Sequence, residues 1–254
     1  MSSIKFLGFA LLSCFSQSVF AQDEAGVSPY RPSVSSPAQL PLAGQLELEL
    51  GVLRNKTDNT SRDSTPYLFK LAFNKEWGIL IGGESYVATR DEIAHKEKGV
   101  GDTSIVLKRA FILDDRTAMG LEFGTKLATA KDTIGSGATD YSINAILSKD
   151  LESLHFDGNL NLTHLGLHEE GAATNLLGWA ASFSLPLADK WQVIGEPSGT
   201  HQNGKPSSTQ ILTALAYSPS KKLTIDFGVS KGLNKTSQGY AIFAGLVMPI
   251  AQLW

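Results

Sequence analysis

The chain of 254 residues is expected to fold as an all-β, up-and-down antiparallel transmembrane β-barrel of about twelve strands. Three observations carry that expectation. Apolar and polar residues alternate in stretches of roughly 6–12 residues through 44–254, the length that tilted membrane strands need. Short turns alternate with long polar loops between those stretches. The polypeptide also ends on an alternating stretch, GYAIFAGLVMPIAQLW, closed by an aromatic residue as bacterial outer-membrane proteins are. Composition removes the rivals. With 42% hydrophobic and 19% charged residues the chain is not disordered, and a net charge of -3 leaves no footprint for nucleic acid. A single cysteine, Cys14, excludes a disulfide framework and a multi-thiolate zinc site.

Residues 1–21 have the anatomy of a secretory signal. Lys5 supplies the positive start, 6–15 the short apolar stretch, and Val19-Phe20-Ala21 a cleavage site before Gln22. Residues 22–43 carry Pro29, Pro32, Pro37 and Pro41 among serines. Proline has no N–H for a ladder or helix, so this segment reads as an extended periplasmic arm, with a small plug entering the barrel as the alternative. The barrel then occupies 44–254. Its strands are expected at 46–52, 67–73, 77–87, 103–112, 118–128, 140–149, 154–163, 175–185, 191–196, 209–217, 223–230 and 240–250. An even count returns both ends to the periplasm. The long loops, among them 53–66, 88–102 and 199–208, then lie outside the cell. Phe73, Trp77, Phe111, Trp191, Tyr217 and Trp254 fall beside short turns or the chain end; Tyr67, Tyr141 and Tyr240 fall at the opposite strand ends. Two belts of rings are what bilayer interfaces select. In the fourth strand Lys108 is placed inward and Arg109 outward, where a long stem reaches the interface.

Gly99-Val100-Gly101-Asp102, followed by Leu107-Lys108-Arg109, resembles the GxGD…LKYR segment of the outer-membrane transporter family named for the meta-pathway of phenol degradation. Glu122-Phe123-Gly124-Thr125-Lys126-Leu127 and the glycine-rich 135–141, with Asp140 opening a strand, are similar to the continuation of that pattern. The chain departs from it at Ala128-Thr129-Ala130, where the family shows Pro-Thr-Gly. Ile194-Gly195-Glu196 resembles a later glycine-glutamate step. The resemblance implies an outer-membrane barrel passing small, often aromatic or apolar, compounds. Independently of it, Gly99 and Gly101 allow a sharp turn out of a long loop, and Asp102 is suited to accept hydrogen bonds from backbone amides.

Strand parity places Glu47, Glu49, Glu84, Glu122, Asp157, Glu196 and Asp226 in the lumen, against Lys70, Lys108 and Lys126. Carboxylates favour cations, whereas pores for phosphate or acidic sugars present Arg and Lys. The expectation is a narrow channel for small neutral, apolar, aromatic or cationic molecules. Lys108 and Lys126 are expected to pair with Glu84 and Glu122, leaving Glu47 and Glu49 as an acidic excess at the periplasmic end. Two other classes suit such a barrel: a sealed one whose loops bind surfaces, and a lipid-modifying enzyme. Against the enzyme, there is no GxSxG elbow, and of five histidines only His155 lies within a strand, facing the lumen beside Asp157 and Asn159. His164 and His168 are four apart, but in a loop without the helical pattern that would set them on one metal. No cofactor pattern is present, because the 99–102 segment lacks the Gly-Lys-Ser/Thr of a phosphate loop. The expected partners are outer-membrane lipid, a small-molecule solute and, through Trp254, the barrel-assembly machinery.

Overall fold

The computed structural model describes residues 26–91, 96–167, 170–237 and 239–254; the expected signal segment lies outside them. The strands are β1 (Gln45–Lys56), β2 (Ser61–Ala72), β3 (Trp77–Arg90), β4 (Lys96–Gly99), β5 (Thr103–Asp114), β6 (Thr117–Leu127), β7 (Asp140–Leu151), β8 (Leu154–His164), β9 (Asn175–Ala188), β10 (Trp191–Gln202), β11 (Ser208–Ser220), β12 (Leu223–Gly232) and β13 (Tyr240–Gln252). Apart from the β4–β5 step, each strand pairs antiparallel with the next. β1 pairs with β13 from Gln45↔Gln252 to Lys56↔Tyr240, so the sheet closes. β4 and β5 both pair with β3, one above the other, and form a single stave broken at 100–102. Thirteen strands therefore make a twelve-stave barrel. Among the described residues the one helical piece is a 3-10 turn, Lys235–Ser237.

The alternation seen in the sequence becomes an inside and an outside. Val52, Phe69, Ile143, Leu160, Leu177, Phe227 and Ile242 face outward and are exposed. Glu47, Lys70, Lys108, Glu196 and Asp226 face inward and are buried. A polar interior under an apolar outer band is the membrane arrangement, the reverse of a soluble sandwich. Arg109 points outward as expected, with its guanidinium over the rings of Trp77 and Phe111 and 3.1 Å from Glu76. Every expected strand is present, but several run longer at the long-loop rim. β1 and β2 continue through most of 53–66, and β10 and β11 through much of 199–208. Those extensions are polar on both faces, so the ladder continues where hydrophobic alternation does not report it. At the opposite rim the first and last strands are sewn together. Gly44, in the left-handed region at φ 79°, accepts from Leu253 N, and Gln252 Nε2 donates to Ala43 O and Trp254 O. The Gln252 amide thus helps close the seam.

The main correction concerns the proline-rich segment. Its described part, 26–43, is not an arm in the periplasm but lies inside the barrel. Val27 N donates to Lys221 O at the short-turn rim; Val34, Ser35 and Ser36 reach the middle of the lumen; and Ala38 returns between Ala118 and Ile146. The prolines explain both readings. They forbid a ladder, and a segment without a ladder must satisfy its remaining N–H groups on side chains of the wall.

Candidate functional site

The lumenal carboxylates are the partners of that plug. Glu47 accepts from Ser28 N through both oxygens at 3.2 Å. Glu49 accepts from Tyr30 N at 2.7 Å and Arg31 N at 3.2 Å. Glu196, fully buried, accepts from Val34 N, Ser35 N and Ser35 Oγ at 2.8, 2.9 and 2.6 Å. Asn159 exchanges two bonds of 2.9 Å with the backbone of Ser36, and Ser148 Oγ accepts from Ala38 N at 2.7 Å. Lys70 lies 3.0 Å from Glu47 and 2.6 Å from Glu49, and also donates to Ser28 O. Lys108 donates to Pro37 O and lies 3.1 Å from Glu122. The Tyr30 ring sits between the two ammonium groups, 4.4 and 4.2 Å from its centroid. Buried charges at this density persist only when each is bonded, and here each is. The free acidic excess expected from Glu47 and Glu49 is therefore absent: Lys70 and the plug amides consume it.

One cation was invisible to parity because it does not belong to the wall. Arg31 of the plug makes a bidentate pair with Asp226, 2.9 Å at both contacts. Its guanidinium rests in a slot made by Gly51 and Gly245, which face each other across β1 and β13, with Asp226 next in the same row on β12. A Cβ at either glycine would come within 2.4 Å of the guanidinium. The signal was available in the sequence as an acid count with too few bases, but the register of Gly51, Gly245 and Asp226 was not.

The family-like segment works at the other mouth. Asp102 accepts from Ala130 N at 3.0 Å, Ser136 N at 2.9 Å and Ser136 Oγ at 3.3 Å, and so ties the 128–139 loop across the break in the fourth stave. Burial raises the Asp102 pKa, but the hydrogen bonds from Ser136 and Ala130 outweigh it and hold the carboxyl below its ordinary value. Ile134, at the buried turn of this loop, lies so close to Gly99 that a Cβ there would be 2.6 Å from its Cδ1. Gly101 is similarly bare against Glu84. Glu84 binds Arg62, which also donates to Ile134 O, and Lys126 binds Asp140 at 2.5 Å. Of the expected charge pairs only Lys108 with Glu122 forms.

Between plug and mouth lies a cavity of about 340 Å³ whose floor is Val34. Asn144, Asn159, Asn161, Ser198 and Gln210 line it, and no charged side chain does so among the described residues. Asn144 Nδ2 donates to Glu122 and to Asn159 Oδ1, both at 2.9 Å, which fixes the amide and leaves Asn144 Oδ1 buried without a partner. Asp157 is bonded to Ser148 and lies 3.1 Å from His155, whose other ring nitrogen is 2.6 Å from Asp150. Ser148 thus addresses the carboxylate and not the imidazole. His201 does meet Ser207 at 2.8 Å and Asn203 at 3.1 Å, but all three are exposed on a rim, outside the water-excluded setting that strengthens such contacts. His95 and His168 lie outside the described residues. No group of three potential metal ligands occurs among the described residues.

A closed twelve-stave barrel with lipid-facing apolar strands defines an outer-membrane β-barrel of porin type. The family model described as "Putative MetA-pathway of phenol degradation" matches residues 30–249, and the chain belongs to that family. Among solved structures it is similar to an outer membrane channel from Pseudomonas putida F1, at 12% identity over 88% of this chain and 100% of that one, with a TM-score of 0.62. It is also similar to the NanC porin (12% identity, 81% and 100% covered, TM-score 0.59) and to the KdgM porin (9%, 80% and 99%, TM-score 0.53). No curated protein matches the sequence.

Proposed function

We propose that the protein is an outer-membrane channel for small uncharged molecules, held closed at its periplasmic end by its own segment 26–43. The observation that carries this reading is the uncharged cavity resting directly on Val34 of the plug. A solute entering from the long-loop side meets amides and hydroxyls first and the plug next. The amides and hydroxyls that line the cavity suit a hydroxyl-bearing solute, while Val34 offers it apolar surface. Cation selectivity is no longer supported, because the carboxylates that would create it are bonded to the plug. Membership of a family named for phenol degradation is compatible with a small hydroxylated compound. Export would follow cleavage after Ala21, and recognition by the assembly machinery would involve Trp254; a chain truncated before Trp254 should give a lower outer-membrane yield.

The deciding experiment is conductance in a planar bilayer with the full mature chain and with a variant lacking 26–43. The mature chain should show brief or small openings and the shortened barrel a steady larger conductance without strong ion selectivity. Equal conductance in both would remove the plug from the transport path, and no conductance in either would favour the sealed, surface-binding barrel.

A further inference from the structure

At the long-loop rim the outer face carries a feature that transport does not use. Directly paired residues in an antiparallel sheet share a face, and Lys231↔Tyr240, Tyr240↔Lys56, Lys56↔Ser61, Ser61↔Arg90 and Arg90↔Lys96 form one continuous row across β12, β13, β1, β2, β3 and β4. Neighbouring strands are about 4.8 Å apart, so the row spans about 24 Å. All four of its cations, Lys231, Lys56, Arg90 and Lys96, are exposed. The row about 7 Å below it contains Lys98, Asp63, Arg54, Ile242 and Val229. There Arg54 and Asp63 neutralise each other at 2.6 Å, and Ile242 and Val229 begin the lipid-facing band. Among the described residues the ion pairs include none of Lys56, Lys96, Lys98 and Lys231. Two adjoining hollows, of about 530 and 610 Å³, open beside Lys56, Asp58 and Tyr240; Arg54, Arg90, Asp63 and Asp91 also line the first and Lys231 the second, so the cationic excess lies on the row and not in the hollows.

We infer that this basic row binds the phosphate groups of the glycolipid that forms the outer leaflet. The inference rests on the outer-membrane reading, which puts the long-loop rim at the outer headgroup level, but not on the channel reading. Long cationic stems beside an apolar band reach headgroup phosphates while their methylenes stay in contact with acyl chains. A row several strands wide meets more than one phosphate at once, so the contributions of single lysines add at an anionic surface. Hydroxyls of Ser61 and Tyr240 between the cations supply donors without charge.

The test uses the full mature chain in detergent, titrated with bisphosphorylated lipid A, with its dephosphorylated form, and with inorganic phosphate. The variant Lys56→Gln/Arg90→Gln/Lys96→Gln/Lys231→Gln is compared with Lys75→Gln in a short-turn loop, and heat-modifiable migration reports whether each barrel is folded. Bisphosphorylated lipid A should bind the natural chain at least about tenfold more tightly than the quadruple variant, with Lys75→Gln unchanged and the dephosphorylated lipid unable to distinguish them. Equal binding of bisphosphorylated lipid A by folded natural and variant chains overturns the assignment. So does saturation by inorganic phosphate alone at the same concentrations, which would mark a free-anion site instead. Conductance of the same variant should match that of the natural chain; a natural chain that conducts normally yet binds bisphosphorylated and dephosphorylated lipid A alike sinks this inference and leaves the channel standing.

Discussion

Single residues act either by leaving out a side chain beside the plug or by placing one acceptor at the mouth. Gly51 is the clearest case, since a methyl there would collide with the Arg31 guanidinium. Gly51→Ala should expel Arg31 and strand Asp226, which is 1% exposed. Breaking a buried pair from one side costs about 3–5 kcal/mol. The lowered melting of the folded band should be partly restored in Gly51→Ala/Asp226→Ala, where no lone carboxylate remains; an additive double variant would show that Arg31 and Asp226 are not coupled. At the other mouth, Asp102 has a folded pKa below its unfolded one. Its contribution to loop order is therefore complete above the ordinary Asp range, about pH 4, and is lost as pH falls through the lower folded value. Amide exchange in 128–139, corrected for intrinsic rates, should stay constant from pH 8 to 5 and rise at more acidic pH, while Asp102→Ala should exchange fast throughout.

At the level of strands and segments, the sequence was most informative where one face meets lipid. Ile143 and Asn144 are adjacent on β7 and face opposite ways. Ile143→Arg should cost about 2–4 kcal/mol of barrel stability at mid-membrane. Parity alone would make Asn144→Arg harmless. The structure gives a different outcome, because that change removes bonds to Glu122 and Asn159 and puts a cation in an uncharged cavity. It should spare folding more than Ile143→Arg yet alter conductance and anion permeability. Equal loss of folded band from both would mean the two faces are misassigned. The plug stood in the sequence only as the alternative to an arm, for a physical reason: its order comes from side chains far away in the chain, such as Glu196 to Ser35 and Asp226 to Arg31, and no local period announces that. Strand ends beyond the membrane escaped for the opposite reason, since their hydrogen bonds are regular but their composition is polar throughout. In the GxGD segment Asp102 binds backbone amides, although they come from the next loop, whereas Gly99 and Gly101 serve close approach of Ile134 and Glu84 and not the expected sharp turn, because the stave runs on past them.

For the molecule as a whole, the placement of Arg31 bears on chronology. The slot that receives it has one wall on the first strand and one on the last, with its acid partner on the strand before the last. Such a slot does not exist until the two ends of the sheet meet. Glu47 and Glu49, which grip the residues around Arg31, stand on the first strand beside the same seam. Seating of Arg31 and closure of the ring are therefore coupled, since Arg31 meets Asp226 between Gly51 and Gly245 only where the first and last strands are paired. Arg31→Ala should delay the appearance of the compact, heat-modifiable form during refolding into detergent without changing the final β content, whereas a change confined to the 128–139 loop should leave that delay unaltered. The stopper of the finished barrel is thus also a clasp across the seam where the first and last strands meet.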